Sequence, residues 1–176
     1  ATTKKNVALF VQANRLDGDR TYSIGVRSER VDYTHIPGVG ALLSSGHDLS
    51  GFEVGVNQRL SSKFSVFANF NRGYQAPDID RFFVSDYSNW PTITTDFNSF
   101  INPALSKTIN LGANLLSGST TLKETGYYIE LNDEIFLCKS NAISSCSSGG
   151  TNTNLDRSHK HGVDIHLHYP FGKIVL

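Results

Sequence analysis

The stretch from Gln75 to Ser106 holds Asp78, Asp80, Arg81, Phe82, Phe83, Tyr87 and Trp90. A guanidinium among aromatic rings suits a bulky anionic chelate, which it meets with a flat, delocalised cation and large apolar faces. Asp78, Asp80, Arg81, Tyr87 and Trp90 are therefore the expected ligand-contacting residues. The two carboxylates stand two apart in a loop, a spacing too unspecific for acid–base catalysis. Four histidines, His159, His161, His166 and His168, share one strand-like segment. Alternate residues of a strand share a face, so each pair has metal-binding geometry in principle. His159 and His161 keep the parity of Val163 and Ile165, which turns them outward, while His166 and His168 take the polar face. No metal site is expected from them. Cys138 and Cys146 flank a loop rich in Ser, Asn and Gly and suit a local disulfide in an oxidising compartment. No G-x-S-x-G, H-E-x-x-H or phosphate loop occurs, so the chain reads as a non-enzyme that needs no cofactor.

The elements that would carry these residues are strands. Apolar side chains recur at every second position in Tyr22, Ile24 and Val26, in Phe52, Val54 and Val56, and in Phe64, Val66, Ala68 and Phe70, where Phe67 breaks the pattern. The same holds for Ile109, Leu111, Ala113 and Leu115, and for Val163, Ile165, Leu167 and Tyr169. The opposite parity carries charges, Asn and Gly, as a wet interior would. Val7–Asn14 is apolar on both faces and Thr121–Leu137 is mixed, so neither is oriented by pattern. Tyr22, Phe64, Tyr74, Tyr127 and Tyr169 lie near strand ends, where interfacial aromatic girdles belong.

Connections alternate in length. Short ones fall at Asp17-Gly18-Asp19, Ser61-Ser62-Lys63, Ser117-Gly118-Ser119 and Pro170-Phe171-Gly172; long ones span His35–Asp48, Gln75–Ser106 and Cys138–Thr151. A water-soluble sandwich has no reason to gather its long loops at one end, whereas a transmembrane β-barrel keeps short periplasmic turns and long external loops. The expected fold is an all-β, antiparallel up-and-down meander of long strands forming part of such a barrel. The chain has 176 residues, 39% hydrophobic and 18% charged, and a formal net charge of zero. The charge balance gives no basis for a nucleic-acid partner. No apolar run approaches the roughly 18 residues of a spanning helix.

Three boxes, in order, resemble the later barrel strands of TonB-dependent outer-membrane receptors. Arg72–Pro77, RGYQAP, is similar to an aromatic-Arg-Ala-Pro box, with Gln75 where Arg is usual. Asn102–Leu105, NPAL, follows, with Ser106-Lys107 in place of Pro-Glu. Arg157–Ile165, RSHKHGVDI, is similar to a strand with a Gly-Val-Glu signature, Asp164 replacing Glu.

The resemblance implies residence in the outer membrane of a Gram-negative bacterium, contact with outer-membrane lipid, a plug inside a large barrel, and TonB-driven uptake of an iron chelate. Haem receptors of this kind carry a histidine between the first two boxes. None occurs between Tyr74 and Asn102, which favours a ferric siderophore over haem. No plug or TonB-contacting box is visible. The chain stops at Leu176 in what reads as a new strand, without a closing aromatic, and Ala1 opens almost directly in a strand. Residues 1–176 are thus expected to be about seven to eight strands of a larger barrel, whose open edges invite self-association. The alternatives are a complete small barrel acting as anchor or adhesin, and a soluble β-sandwich binding module.

Overall fold

The structure, a computed structural model, describes residues 1–86, 91–138 and 150–170. Seven long strands make one antiparallel sheet in the order β1 (Thr2–Asp17), β2 (Arg20–His35), β3 (Leu43–Arg59), β4 (Phe64–Gln75), β7 (Ala104–Ser117), β8 (Thr120–Cys138) and β9 (Thr151–His168). Each pairs with its sequence neighbour in that order, which is the expected meander. Between β4 and β7 the chain forms a 3-10 turn (Ile79–Phe82) and a small hairpin of β5 (Phe83–Asp86) and β6 (Thr94–Phe97).

Register fixes the faces that pattern left open. Val11 stands opposite Val26, which stands opposite Phe52, and Ala13 opposite Ile24, so β1 puts Val7, Leu9, Val11 and Ala13 on the outer apolar face. Phe10 stands opposite Arg27, on the polar face. Leu111 (59% exposed), Val163 (62%) and Ile165 (68%) belong to an outer surface far larger than a water-soluble monomer leaves bare. Among the described residues no second layer packs on it, so the sheet is a barrel wall and not half of a sandwich.

The polar face is built from complementary sizes. Phe67, the break in the β4 pattern, points inward opposite Gly112, and a side chain there would strike both the Phe67 ring and the Glu124 carbonyl. The Lys123 ammonium lies 5.4 Å from the centre of that ring. Gly162 stands opposite Tyr127 and lies under its hydroxyl. Asn110 donates to Asn69 at 2.6 Å, and Asp164 and His166 complete the polar lining at this level.

Two expectations change. Tyr127 covers Gly162 on the polar face and Tyr74 reaches Glu29 at 2.8 Å, so neither joins an outer girdle; Tyr22 (40% exposed) and Tyr169 (55%) stay on the exterior. The connection expected at His35–Asp48 is only 36–42. Leu43 to Asp48 continue the ladder opposite His35 to Arg30, because backbone pairing needs no apolar side chain and Ser- and Gly-rich sequence hides it. In β8, Asp133 adopts a left-handed backbone (φ 54°) without shifting the register, since Asn132 stands opposite Arg157 and Glu134 opposite Leu155. Beyond it Glu134 bonds Ser158 and Lys160, while Ile135 packs on the inner core. The segment looks mixed as sequence because Ile129 and Leu131 share the inward parity of Tyr127, while Glu124 and Glu130 share the outward parity of Tyr128.

Candidate functional site

The long connection after β4 does not stand away from the sheet. It folds back over the polar face at the end where all the long connections lie. Phe82 is fully buried there, edge-on to Tyr33 (centroids 4.9 Å, 88°) and to Phe100 (5.1 Å, 83°). Val31, Leu49 and Ile101 close the cluster. This is the core of the described chain, and it joins loop to wall rather than strand to strand.

Polar tethers hold the same loop at both margins of the sheet. On β1 the Lys4 ammonium donates to the Pro77 carbonyl (2.9 Å) and to Asp78 (3.2 Å). Tyr33 donates its hydroxyl to the same Pro77 carbonyl at 2.7 Å. On β9 Arg81 donates to Asn152 at 3.2 Å. Asn154 accepts from the Asn102 backbone N–H (2.8 Å) and donates to the Asn102 carbonyl (2.9 Å) and the Asp133 carbonyl (2.8 Å). The loop is thus a strap across the concave face. The RGYQAP and NPAL boxes are its two roots, with Pro77, Pro103 and Ala104 buried at the junctions.

Beneath the strap lies a polar group around Glu29, the charged side chain that the fold buries among the described residues. Arg27 donates to it at 2.8 Å, Tyr74 at 2.8 Å and Asn6 at 3.0 Å. On β2 the outer apolar residues end at Val26, and Arg30 above them pairs with Asp32 (2.9 Å) and Asp48 (2.8 Å). Tyr33, opposite Lys4, stands above the lipid-facing band, whereas Glu29, opposite Ala8, lies level with Val7 and Leu9 of β1. Hydrogen bonds from Arg27, Asn6 and Tyr74 satisfy the Glu29 carboxylate. Burial pushes the Tyr33 hydroxyl up to about 12, so it remains a donor to Pro77. Next to this group a cavity of about 550 Å³ opens along the wall, lined by Phe10, Gln12, Arg27, Glu53 and Asn71.

Of the residues expected to contact ligand, Asp80 and Arg81 come together (3.8 Å) on the strap, with Arg81 reaching β9. Asp78 sits apart, paired with Lys4. Tyr87 and Trp90 lie outside the described residues. Cys138 is buried and disulfide-bonded, and Cys146 lies outside the described residues. Among the described residues no three His, Cys, Asp or Glu side chains gather as a metal set. Lys4 and Asn154 escape a sequence reading, since Lys4 meets Pro77 and Asp78 more than 70 residues away and Asn154 meets Asn102 52 residues away, while Phe82, named among the loop aromatics, proves to be a core residue.

A family model described as TonB dependent receptor-like, beta-barrel, matches residues 1–175. The chain belongs to that family. It is a β-barrel protein of the Gram-negative outer membrane, and its seven-strand sheet is wall of a TonB-dependent receptor barrel. A search of curated proteins found no match. Among solved structures, the copper transporter OprC superposes with a TM-score of 0.75 at 16% identity, covering 97% of this chain and 26% of that one. The Serratia marcescens hemophore receptor HasR, in complex with its hemophore and heme, gives 0.71 at 14%, covering 96% and 32%. The ferric yersiniabactin uptake receptor FyuA from Yersinia pestis gives 0.65 at 16%, covering 97% and 25%. At such identities the likeness is one of fold. The chain spans about a quarter to a third of these three proteins.

In this receptor barrel Asn154 is the most exacting tether. Asn154→Ala removes both hydrogen bonds to Asn102 and the one to Asp133, leaving three backbone groups without partners. The Asn102 groups are exposed and can turn to water, so the larger loss, about 1–3 kcal/mol, falls on the part-buried Asp133 carbonyl. The expected outcome is faster proteolysis within 76–103 and unchanged cleavage elsewhere. Wild-type digestion kinetics of that segment would refute the clamp.

Proposed function

We propose that the chain is part of the barrel of an outer-membrane receptor that takes up a ferric chelate, a siderophore in preference to haem. The observation that carries this reading is the strap, a connection held over the lumen-side face with Asp80 and Arg81 exposed on it. A loop fixed in place on a rigid scaffold recognises cargo at lower entropic cost than a free one. The polar wall below, from Arg27 and Glu29 down to Asp164 and His166, lines the passage or meets a plug. TonB supplies the energy in the full-length receptor, and the role is transport rather than catalysis.

Haem is disfavoured by the chemistry at hand. No histidine lies between Tyr74 and Asn102. His35, at the mouth, has one ring nitrogen bonded to Thr2 (2.7 Å) and one face covered by Phe97 (4.1 Å, 12°). The solved structures with this fold include a ferric siderophore receptor, a hemophore receptor and a copper transporter, so the fold itself admits all three cargoes.

The test is binding of radiolabelled ferric siderophores, haemin and copper to the full-length receptor. Arg81→Ala and Trp90→Ala are each expected to lower siderophore affinity by roughly tenfold, as anchor residues do. Preference for haemin or copper would overturn the cargo class. Unchanged siderophore affinity in both variants would sink the loop assignment.

A further inference from the structure

The connection from β2 to β3 is apolar at the end of the sheet that lies away from the membrane. From 36 to 46 the chain holds no charged residue, and Ile36 (54% exposed), Val39 (95%) and Leu42 (60%) lie bare. Pro37 fixes one φ and Gly40 adopts a φ of 114°, so the loop is a shaped wall and not slack chain. Opposite it stands the β5–β6 hairpin of the strap. Phe97 lies flat on His35 (4.1 Å, 12°) and meets Phe83 edge-on (5.8 Å, 83°). Between loop and hairpin opens a cavity of about 700 Å³, lined by Ile36, Pro37, Val39, Leu43, Phe83 and Phe97.

Three features set this cavity apart from scattered apolar exposure. Its apolar residues come together from two separate segments around one hollow, as in a ligand groove. Its size falls in the range of small-molecule sites, about 300–1,000 Å³. Among the described residues the charged side chain in its lining is Asp96, a carboxylate. It repels the anionic, iron-holding end of a chelate and leaves an uncharged chain unaffected. The cation that suits the anionic end, Arg81, lies two positions before Phe83 on the same strap.

We propose that this cavity holds the fatty-acyl chain of an amphiphilic ferric chelate. The iron-holding head meets Arg81 on the strap, and the chain lies between the apolar loop and the rings of Phe83 and Phe97. The loop is apolar because hydrocarbon, and not water, covers it in the loaded receptor. The inference rests on the ferric-chelate reading given above and narrows it to chelates that carry an aliphatic chain.

The test uses the full-length receptor in phosphatidylcholine nanodiscs, with partitioning into empty discs subtracted. The probe is a ferric citrate–dihydroxamate, prepared with acetyl groups on both hydroxamates or with a dodecanoyl chain on one of them. The acyl form is expected to bind at least roughly tenfold tighter, since each methylene withdrawn from water is worth roughly fourfold. Ile36→Ser/Val39→Ser is expected to abolish that advantage and to leave affinity for the acetyl form unchanged. Both side chains are exposed, so the fold does not depend on them. Arg81→Ala should weaken both forms alike. Equal affinity for the two forms, or an acyl advantage kept by the double variant, overturns the acyl site. So does displacement of the acyl form by an equal concentration of laurate, which would mark a site for free lipid. If neither form binds, nor a ferric catecholate prepared with and without the same chain, the ferric-chelate reading falls and takes this inference with it.

Discussion

Phe82→Ala is expected to release the strap. Phe82 is fully buried between Tyr33 and Phe100, in the cluster that joins the loop to the wall. Truncating a fully buried phenylalanine removes its transfer free energy and leaves a cavity, together about 3–5 kcal/mol. Here the loss falls on a local unit, because the cluster does not hold the strands to one another; the ladders do. The loop should therefore open while the barrel stays folded. Expected results are rapid proteolysis of 76–103, siderophore affinity lowered more than by Arg81→Ala, and unchanged heat-dependent gel migration. Phe82→Leu, which refills much of the volume, should restore most of the protection. If Phe82→Ala instead left the protease pattern and the affinity unaltered, the strap would not be held by this core.

Gly112→Val is expected to act on the wall itself. A side chain at Gly112 meets the Glu124 carbonyl on the paired strand and the ring of Phe67 on the other side. The carbonyl cannot retreat without parting β7 from β8, and the ring is held between Gly112 and the Lys123 ammonium. Overpacking of this kind typically costs about 1–3 kcal/mol, and a β-branched side chain against backbone belongs at the upper end. The measurement is the urea midpoint of the full-length receptor in detergent. Gly112→Val alone should lower it, and Gly112→Val/Phe67→Ala should recover part of the loss, because the ring is one of the two obstacles. A midpoint equal to wild type in Gly112→Val would mean that the wall relaxes freely at this level. The pair also explains why Phe67 defies the apolar alternation of its strand: it fills the space that a glycine leaves across the ladder.

Strand alternation, the one-sided distribution of long connections and the three boxes were legible in the sequence, and they led to the barrel and to its family. These features are local: a strand's two faces are set by neighbours two residues apart, and a box by its own composition. Pattern also placed His159 and His161 outward, and register puts them opposite Glu130 and Tyr128 on that face. It failed where local order was broken or concealed. Inward Ile129 and Leu131 and outward Glu124 and Glu130 blurred the faces of β8, and Ser- and Gly-rich sequence hid the upper part of β3.

What tertiary structure alone decided is the setting of the long connection. Lys4, Tyr33, Asn152 and Asn154 meet it from strands at both ends of a seven-strand sheet. No periodicity records a contact across such separations, because it exists only once the sheet has curved and brought β1 and β9 within reach of one loop. The residue types of the strap set what it can recognise, and the curvature of the wall sets where it stands.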